Sequence, residues 1–239
     1  MYRIGVDIGG TNIALGLLDE ELELKDSSSI PFQRGGEQVA ARIAEQVRLM
    51  LEKAGAGVED LSCIGVAVPG SIDPAGETVI HAYNLDFHNE PLRMRIQAFF
   101  PGVPVALAND ADAAVLAELY KGALQGCKTA GLYTLGTGIG GGFIIGGRLF
   151  RGGRGNGIEP GHVVLVDGGE MCTCGLAGCV ESYCSATALI RQAGRAMTAH
   201  PESLLHQKTA GNPASMTAKL AIDCAKAGDE TALTVFRTY

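Results

Sequence analysis

The sequence has no cluster of lysines or arginines anywhere in its 239 residues. Proteins that grip nucleic acid by its phosphates carry a basic patch. Here 26 acids outnumber 19 bases, for a net charge of −7, so no nucleic-acid partner is expected. Nor is there an apolar run of the roughly 20 residues that a bilayer-spanning helix needs. The opening segment MYRIGVDIGG lacks the charged flank and apolar core of a secretory signal. These absences predict no membrane association and a cytoplasmic location.

What is present suits an ordinary globular chain: 46% hydrophobic and 19% charged residues. The length accommodates one large domain or two small ones. The 34 glycines are clustered, which points to loops where backbone comes close to something. Of seven cysteines, Cys63, Cys127 and Cys224 stand alone, as buried free thiols commonly do. Cys172, Cys174, Cys179 and Cys184 crowd together. Without a secretory signal, that crowding reads as metal binding before it reads as disulfides.

Along the chain, residues 2–8 and 12–18 form two strand-like runs around Gly9-Gly10-Thr11, a hairpin signal. A third run over about 22–30 completes a meander. Val39, Ile43, Val47, Met50, Leu51 and Ala54 recur at helical spacing and predict a helix over about 37–54, stopped by Gly55. Residues 62–70 and 104–110 read as buried strands separated by a loop-rich excursion, and 110–122 reads as a helix with acids in its first turn. At residue 129 the pattern restarts: TAGLYTLG and GFIIGGRLF surround a second glycine turn. Two such hairpins, each opening a β-then-α half, suggest a duplicated fold with a cleft between halves. The expected division is 1–121 and 122–239. Helices are expected at 186–199, about 215–227 and from Asp229. The last has an apolar face still in progress at Tyr239, which reads as a chain incomplete at its C-terminus.

Four motifs carry chemistry. In Asp7-Ile8-Gly9-Gly10-Thr11-Asn12, backbone N–H groups can approach phosphate oxygens, Thr11 adds a hydroxyl, and Asp7 can hold Mg²⁺ through water. A plain hairpin turn is the alternative. The second loop, Gly136-Thr137-Gly138-Ile139-Gly140-Gly141, contains a literal G-x-G-x-x-G. That dinucleotide fingerprint must open a helix, whereas FIIGGRLF continues as a strand, so a phosphate-cradling hairpin fits better. Asp110, after Asn109, falls where a strand ends and a helix begins, the place where α/β sheets put ligands. It is either a helix N-cap or a general base, and two flanking phosphate loops favour the base. Finally, His162 with Cys172, Cys174 and Cys179 offers one imidazole and three thiolates, a set suited to tetrahedral Zn²⁺. Cys184 is the spare thiol.

Taken together, DIGGTN, the AND segment, GTGIGGG, E-x-G-H at 159–162 and CTCGLAGCVE resemble the ROK family of bacterial sugar kinases and repressors. The resemblance implies a duplicated actin-like (ribonuclease H-like) α/β fold of two domains. It also implies ATP and a hexose as ligands, Mg²⁺ with the ATP, structural Zn²⁺ and a homodimer or tetramer. It implies Asp110 as the base acting on the sugar 6-hydroxyl, with Asn109 holding sugar hydroxyls. Glu159, His162 and Glu181 would bond the sugar ring, Gly70 would approach it by its backbone, and Asn84 would contribute. Glucose comes first, with N-acetylmannosamine, fructose and allose as alternatives. A sugar-sensing repressor is the other class, but Asp7 leaves no room ahead of it for a basic DNA-binding domain. Two departures stand out. Pro160 replaces a small apolar residue, and the family's later glycine-rich adenosine segment and returning helix are not in this sequence, which implies truncation.

Overall fold

A computed structural model of the protein describes residues 1–153 and 158–239. The chain divides into two compact units, Met1–Gly131 with Gly142–Ile158, and Leu132–Gly141 with Glu159–Tyr239.

The first unit is built on strands β1 (Tyr2–Ile8), β2 (Asn12–Leu18), β3 (Leu24–Pro31), β4 (Leu61–Val68) and β8 (Val105–Asn109), in the order β3-β2-β1-β4-β8. Alternation drives the meander. Ile4, Val6 and Ile8 of β1 and Ile13, Leu15 and Leu17 of β2 turn into the core, with polar or small residues between them. β4 pairs parallel to β1 and β8 parallel to β4. Helix α1 (Gly36–Lys53) buries Val39, Ile43, Val47, Met50 and Leu51 along one stripe. It ends as the sequence predicts, near Gly55. The N–H of Gly55 donates to Glu52 O and that of Ala56 to Leu51 O, a Schellman closure with Gly55 at a φ of 68°.

The stretch expected to be a loop-rich excursion differs. It contains a small antiparallel sheet of β5 (Ser71–Ile72), β6 (Val79–Ala82) and β7 (Phe87–Glu90), then helix α2 (Leu92–Gln97). Two- and four-residue strands are too short for alternation to be read, and Leu85, Phe87 and Leu92 reach the core as isolated anchors. Helix α3 (Asp110–Lys121) follows β8 directly.

Strands β9 (Thr129–Leu135), β10 (Ile139–Ile145) and β11 (Arg148–Phe150) form a second meander in the order β11-β10-β9. It repeats the order of β3-β2-β1. Counterparts of β4 and β8 are absent among the described residues, so the expected duplication is visible in the meander alone. In the second unit a 3₁₀ turn (Pro160–His162) leads to α4 (Glu181–Cys184), α5 (Ala186–Ala199), α6 (Leu204–Thr209), α7 (Ala218–Lys226) and α8 (Glu230–Thr238). Leu189, Ala193, Met197, Leu205, Met216, Cys224 and Val235 make its core. Helix α7 begins three residues later than expected, because Thr217 is its N-cap and accepts from the Leu220 N–H at 3.1 Å. No described helix is long and apolar enough to cross a membrane.

Ile64 sits fully buried in β4, between Ile4 of β1 and Val105 of β8. Ile64→Ala is expected to destabilise the protein by about 3 kcal/mol in urea denaturation. A loss below about 1 kcal/mol would mean that this sheet is not the core of the unit.

Candidate functional site

The carboxyl ends of three parallel strands carry the first group of candidates. In register, Asp7 lies beside Ala67, Ala67 beside Ala108, and Val68 beside Asn109. Asp7, the Val68-Pro69-Gly70 corner, Asn109 and Asp110 therefore share one sheet edge, where open α/β sheets expose backbone and side chains to ligands. The Asp7 carboxyl, exposed at its tip, is held above its ordinary range, first by partial desolvation and then by the Asp110 carboxylate. That coupling puts the two acids within electrostatic reach of each other. The loop Gly9–Asn12 is a tight turn, with the Gly9 N–H donating to Asn12 O at 2.9 Å. Gly10, Thr11 and Asn12 are exposed. Asn84 is exposed in the β6–β7 turn, its carbonyl oxygen 3.8 Å from where a Cβ on Gly10 would stand.

The α3 N-cap is Asn109, not Asp110. Its Oδ1 accepts from the N–H of Ala111 (2.9 Å) and Asp112 (3.3 Å), while its Nδ2 donates to Gly70 O at 3.1 Å. One amide thus ends β8, opens α3 and tethers the β4 corner. Asp110, relieved of capping, occupies the first helical position with an exposed carboxylate, whose Oδ1 accepts from the adjacent Ala111 N–H at 2.9 Å. Gly70 has a φ of 92°, and a Cβ there would lie 2.0 Å from His81 O. No other residue fits that corner.

Two residues that the motifs did not single out belong to this edge. Asp112 pairs with Arg151 at 3.5 Å. Burial lifts the Asp112 carboxyl, Arg151 opposes that, and Asp110 adds to it. Both line a cavity of about 390 Å³ with Ile72, Asp73, Leu107 and Asn109. The acid-rich first turn of α3 was the only hint in the sequence, since nothing in residue spacing ties Arg151 to it.

In the second unit, the loop 136–141 is fixed from several sides. Gly136 N–H donates to Gly138 O at 3.0 Å, Ala186 N–H to Gly136 O at 2.9 Å, and Thr187 Oγ1 to Thr137 O at 2.7 Å. Gly140 and Gly141 already belong to β10, which agrees with a hairpin and not with a helix-opening fingerprint. Glu159 precedes the 3₁₀ turn and accepts the His162 N–H on its backbone carbonyl at 3.0 Å. Pro160 is buried at the start of the turn, where its fixed φ stiffens the chain. Glu181 opens α4, and its Oε2 accepts from the Ile139 N–H at 2.9 Å.

His162, Cys172, Cys174 and Cys179 converge, with their four potential ligand atoms within 4.8 Å of one another. His162 Nδ1 lies 3.6 Å from Cys172 Sγ, and Cys174 Sγ lies 3.6 Å from Cys179 Sγ. A tetrahedral Zn²⁺ with Zn–S bonds of about 2.3 Å requires sulfur–sulfur edges of about 3.8 Å, so this donor set fits. Burial pushes the Cys172 thiol up, but the Cys174 N–H and hydrogen bonds with Cys174, Ser182 and Cys179 outweigh it and bring the thiol down to about 7. Cys179 is pushed up to about 12 by burial and by its Cys174 and Cys172 neighbours. Cys184 stands outside the cluster.

A family model described as "ROK family" matches residues 3–239. The chain is 36% identical over 237 residues to a glucokinase of Halalkalibacterium halodurans, covering 98% of this chain and 71% of that one. It is 40% identical over 199 residues to a glucokinase of Streptomyces coelicolor, covering 83% and 61%. A crystal structure of a ROK family glucokinase from Streptomyces griseus, in complex with glucose and AMPPNP, superposes with a TM-score of 0.79 at 37% identity, over 100% of this chain and 75% of that one. The chain thus spans between 61% and 75% of the length of these three proteins.

The raised Asp7 carboxyl fixes a sign. Its folded pKa exceeds the unfolded 3.8, so the folded state holds the proton more tightly and loses stability as pH rises through the folded value. Asp7→Asn removes that penalty. The variant is expected to gain stability relative to the parent at pH 7 and to lose the gain below pH 3.8, measured by urea denaturation at both pH values. A gain independent of pH would contradict a raised Asp7 carboxyl.

Proposed function

We propose, from the premise that the chain belongs to the ROK family, that it is an ATP-dependent hexose kinase acting on the sugar 6-hydroxyl, with glucose as the preferred acceptor. The observation that carries this reading is the pairing of Asp110 with Asp7 on one strand edge. One carboxylate is available to the sugar, and the other stands at the first glycine turn. The identity of 36–40% to glucokinases supports the choice of reaction and of sugar.

Phosphoryl transfer asks a protein mainly for positioning and charge neutralisation. In the proposed reaction the sugar oxygen bonds to the γ-phosphorus of ATP as the bond from that phosphorus to the β-γ bridging oxygen breaks. ADP leaves, and the hydroxyl proton passes to the Asp110 carboxylate. Asp110 suits this role because Asn109 caps α3 in its place. Mg²⁺ arriving with ATP would neutralise phosphate oxygens, and Asp7 is the carboxylate proposed to hold it through water.

The turns Gly9–Asn12 and Gly136–Gly141 are proposed to cradle phosphates through backbone N–H groups. Asn109, Gly70 and Asn84 are proposed to meet sugar hydroxyls in the first unit; the cavity beside Asn109 lies within the size range of small-molecule sites. Glu159, His162 and Glu181 are the proposed sugar contacts of the second unit. The Cys172, Cys174, Cys179 and His162 cluster is proposed to hold structural Zn²⁺. Through Nδ1 on the metal, His162 would keep Nε2–H as a donor for the sugar. A duplicated actin-like fold, a cytoplasmic location and a homodimer or tetramer complete the reading.

The test is ADP release from Mg²⁺-ATP with glucose, N-acetylmannosamine, fructose and allose, using protein that carries this chain and is loaded with zinc. Fast release with glucose and slow ATP hydrolysis without sugar are expected. Silence across the panel from folded protein would overturn the kinase reading and leave Asp110 as a first-turn acid of α3.

A further inference from the structure

Glu181 lies between two motifs that the sequence presents as separate, the cysteine cluster and the second glycine loop. It follows Cys179 by two residues, at the start of α4. Its two carboxylate oxygens face in different directions. Oε2 accepts from the Ile139 N–H at 2.9 Å, inside the glycine loop. Oε1 accepts from Thr173 Oγ1 at 3.2 Å and lies 3.7 Å from Cys172 Sγ. Thr173 is the residue held between the cluster thiols Cys172 and Cys174.

The fit on the loop side is close. A Cβ on Gly138 would come 2.4 Å from Glu181 Oε2, so the carboxylate occupies the space that a side chain there would need. Beyond Glu181, the same loop leans on the start of α5 through Ala186 and Thr187. The α5 contacts do not pass through the cysteine segment, whereas the Glu181 contact does. A carboxylate accepting a backbone N–H is a charge-assisted bond, stronger than a neutral one.

We propose that Glu181, in addition to its proposed sugar contact, is a positioning residue coupling the cysteine cluster to the second glycine loop, so that metal held by the cluster sets how well that loop is ordered. With the four ligands gathered, Thr173 is fixed and holds Oε1, leaving Oε2 aimed at Ile139. With the ligands released, Thr173 loses its anchor on both sides and the Ile139 bond is free to open. The functional consequence, that metal occupancy tunes phosphate binding, rests on the reading of residues 136–141 as a phosphate loop. The mechanical coupling does not.

The experiment is hydrogen exchange of the Ile139 amide, with β1 and β4 amides of the first unit as an internal control for global unfolding. It is run on zinc-loaded protein and on protein stripped by a chelator, in the parent, in Glu181→Gln and in Thr173→Val. Zinc content and the affinity for Mg²⁺-ADP are measured alongside. In the parent, stripping should speed Ile139 exchange by about tenfold or more, the factor that one lost charge-assisted hydrogen bond is worth. In Glu181→Gln, where an amide oxygen can still accept from Ile139 but without the charge, exchange should already be faster than in the parent with zinc in place, and stripping should add less than it does in the parent, since coupled changes do not sum. Thr173→Val, which removes one exposed hydroxyl and leaves every metal ligand, should shift in the same direction and keeps the test open if Glu181→Gln fails to fold. Unchanged Ile139 exchange on stripping the parent would overturn the coupling. So would a full stripping effect in both variants, which would send the coupling through some other contact. If Ile139 exchange responds as expected but Mg²⁺-ADP does not bind zinc-loaded parent, the coupling stands and the phosphate-loop reading fails.

Discussion

The parallel pairing of β1, β4 and β8 is the constraint on which the first unit depends. Parallel strands end at the same edge, so backbone pairing delivers residues distant in sequence to one place. The register fixes Asp7, Gly70 and Asn109 to that edge. The helix that must follow β8 then puts Asp110 at its first turn. Burial of Ile4, Ile64 and Val105 across the same three strands makes the register costly to slip, because a one-residue shift would turn those side chains out of the core. Stability and site geometry therefore come from the same pairing.

Asn109 converts that register into chemistry. A helix N-terminus leaves backbone N–H groups unmet, and an Asp at the first turn would ordinarily be drawn in to meet them. Asn109 satisfies two of them and holds the β4 corner by its other amide end. Asp110 keeps its charge exposed beside the coupled acids Asp7 and Asp112. Three carboxylates on one edge, with Arg151 on Asp112, are unfavourable for folding alone. Such an arrangement is typical of sites selected for function over stability. In the second unit Glu181 plays a comparable linking part, joining the cysteine segment to the glycine loop.

Much of this was legible in the sequence where the signal is periodic or local. The stripe from Val39 to Leu51 gave α1, and the span Ala186–Ala199 was read residue for residue. Both glycine turns appear as hairpins, and the four proposed metal ligands converge. Other features were hidden for physical reasons. β5 and β6 are too short to show alternation. Whether Asn109 or Asp110 caps α3 depends on backbone angles that both residue types tolerate, so composition cannot choose. The Asp112–Arg151 and Thr173–Glu181 pairs are side-chain contacts set by tertiary packing, and no spacing rule encodes them.

In the proposed reaction Asp110 contacts the attacking sugar hydroxyl and accepts its proton, while the neighbouring residues supply most of the hold on the sugar. The direct measurement compares glucose affinity by calorimetry and kcat by ADP release in the parent and in Asp110→Asn, which keeps shape and removes the base. Glucose affinity within a few-fold of the parent, with kcat lower by about two to four orders of magnitude, is the predicted result. Near-normal kcat in that variant would remove Asp110 from the reaction and contradict the account.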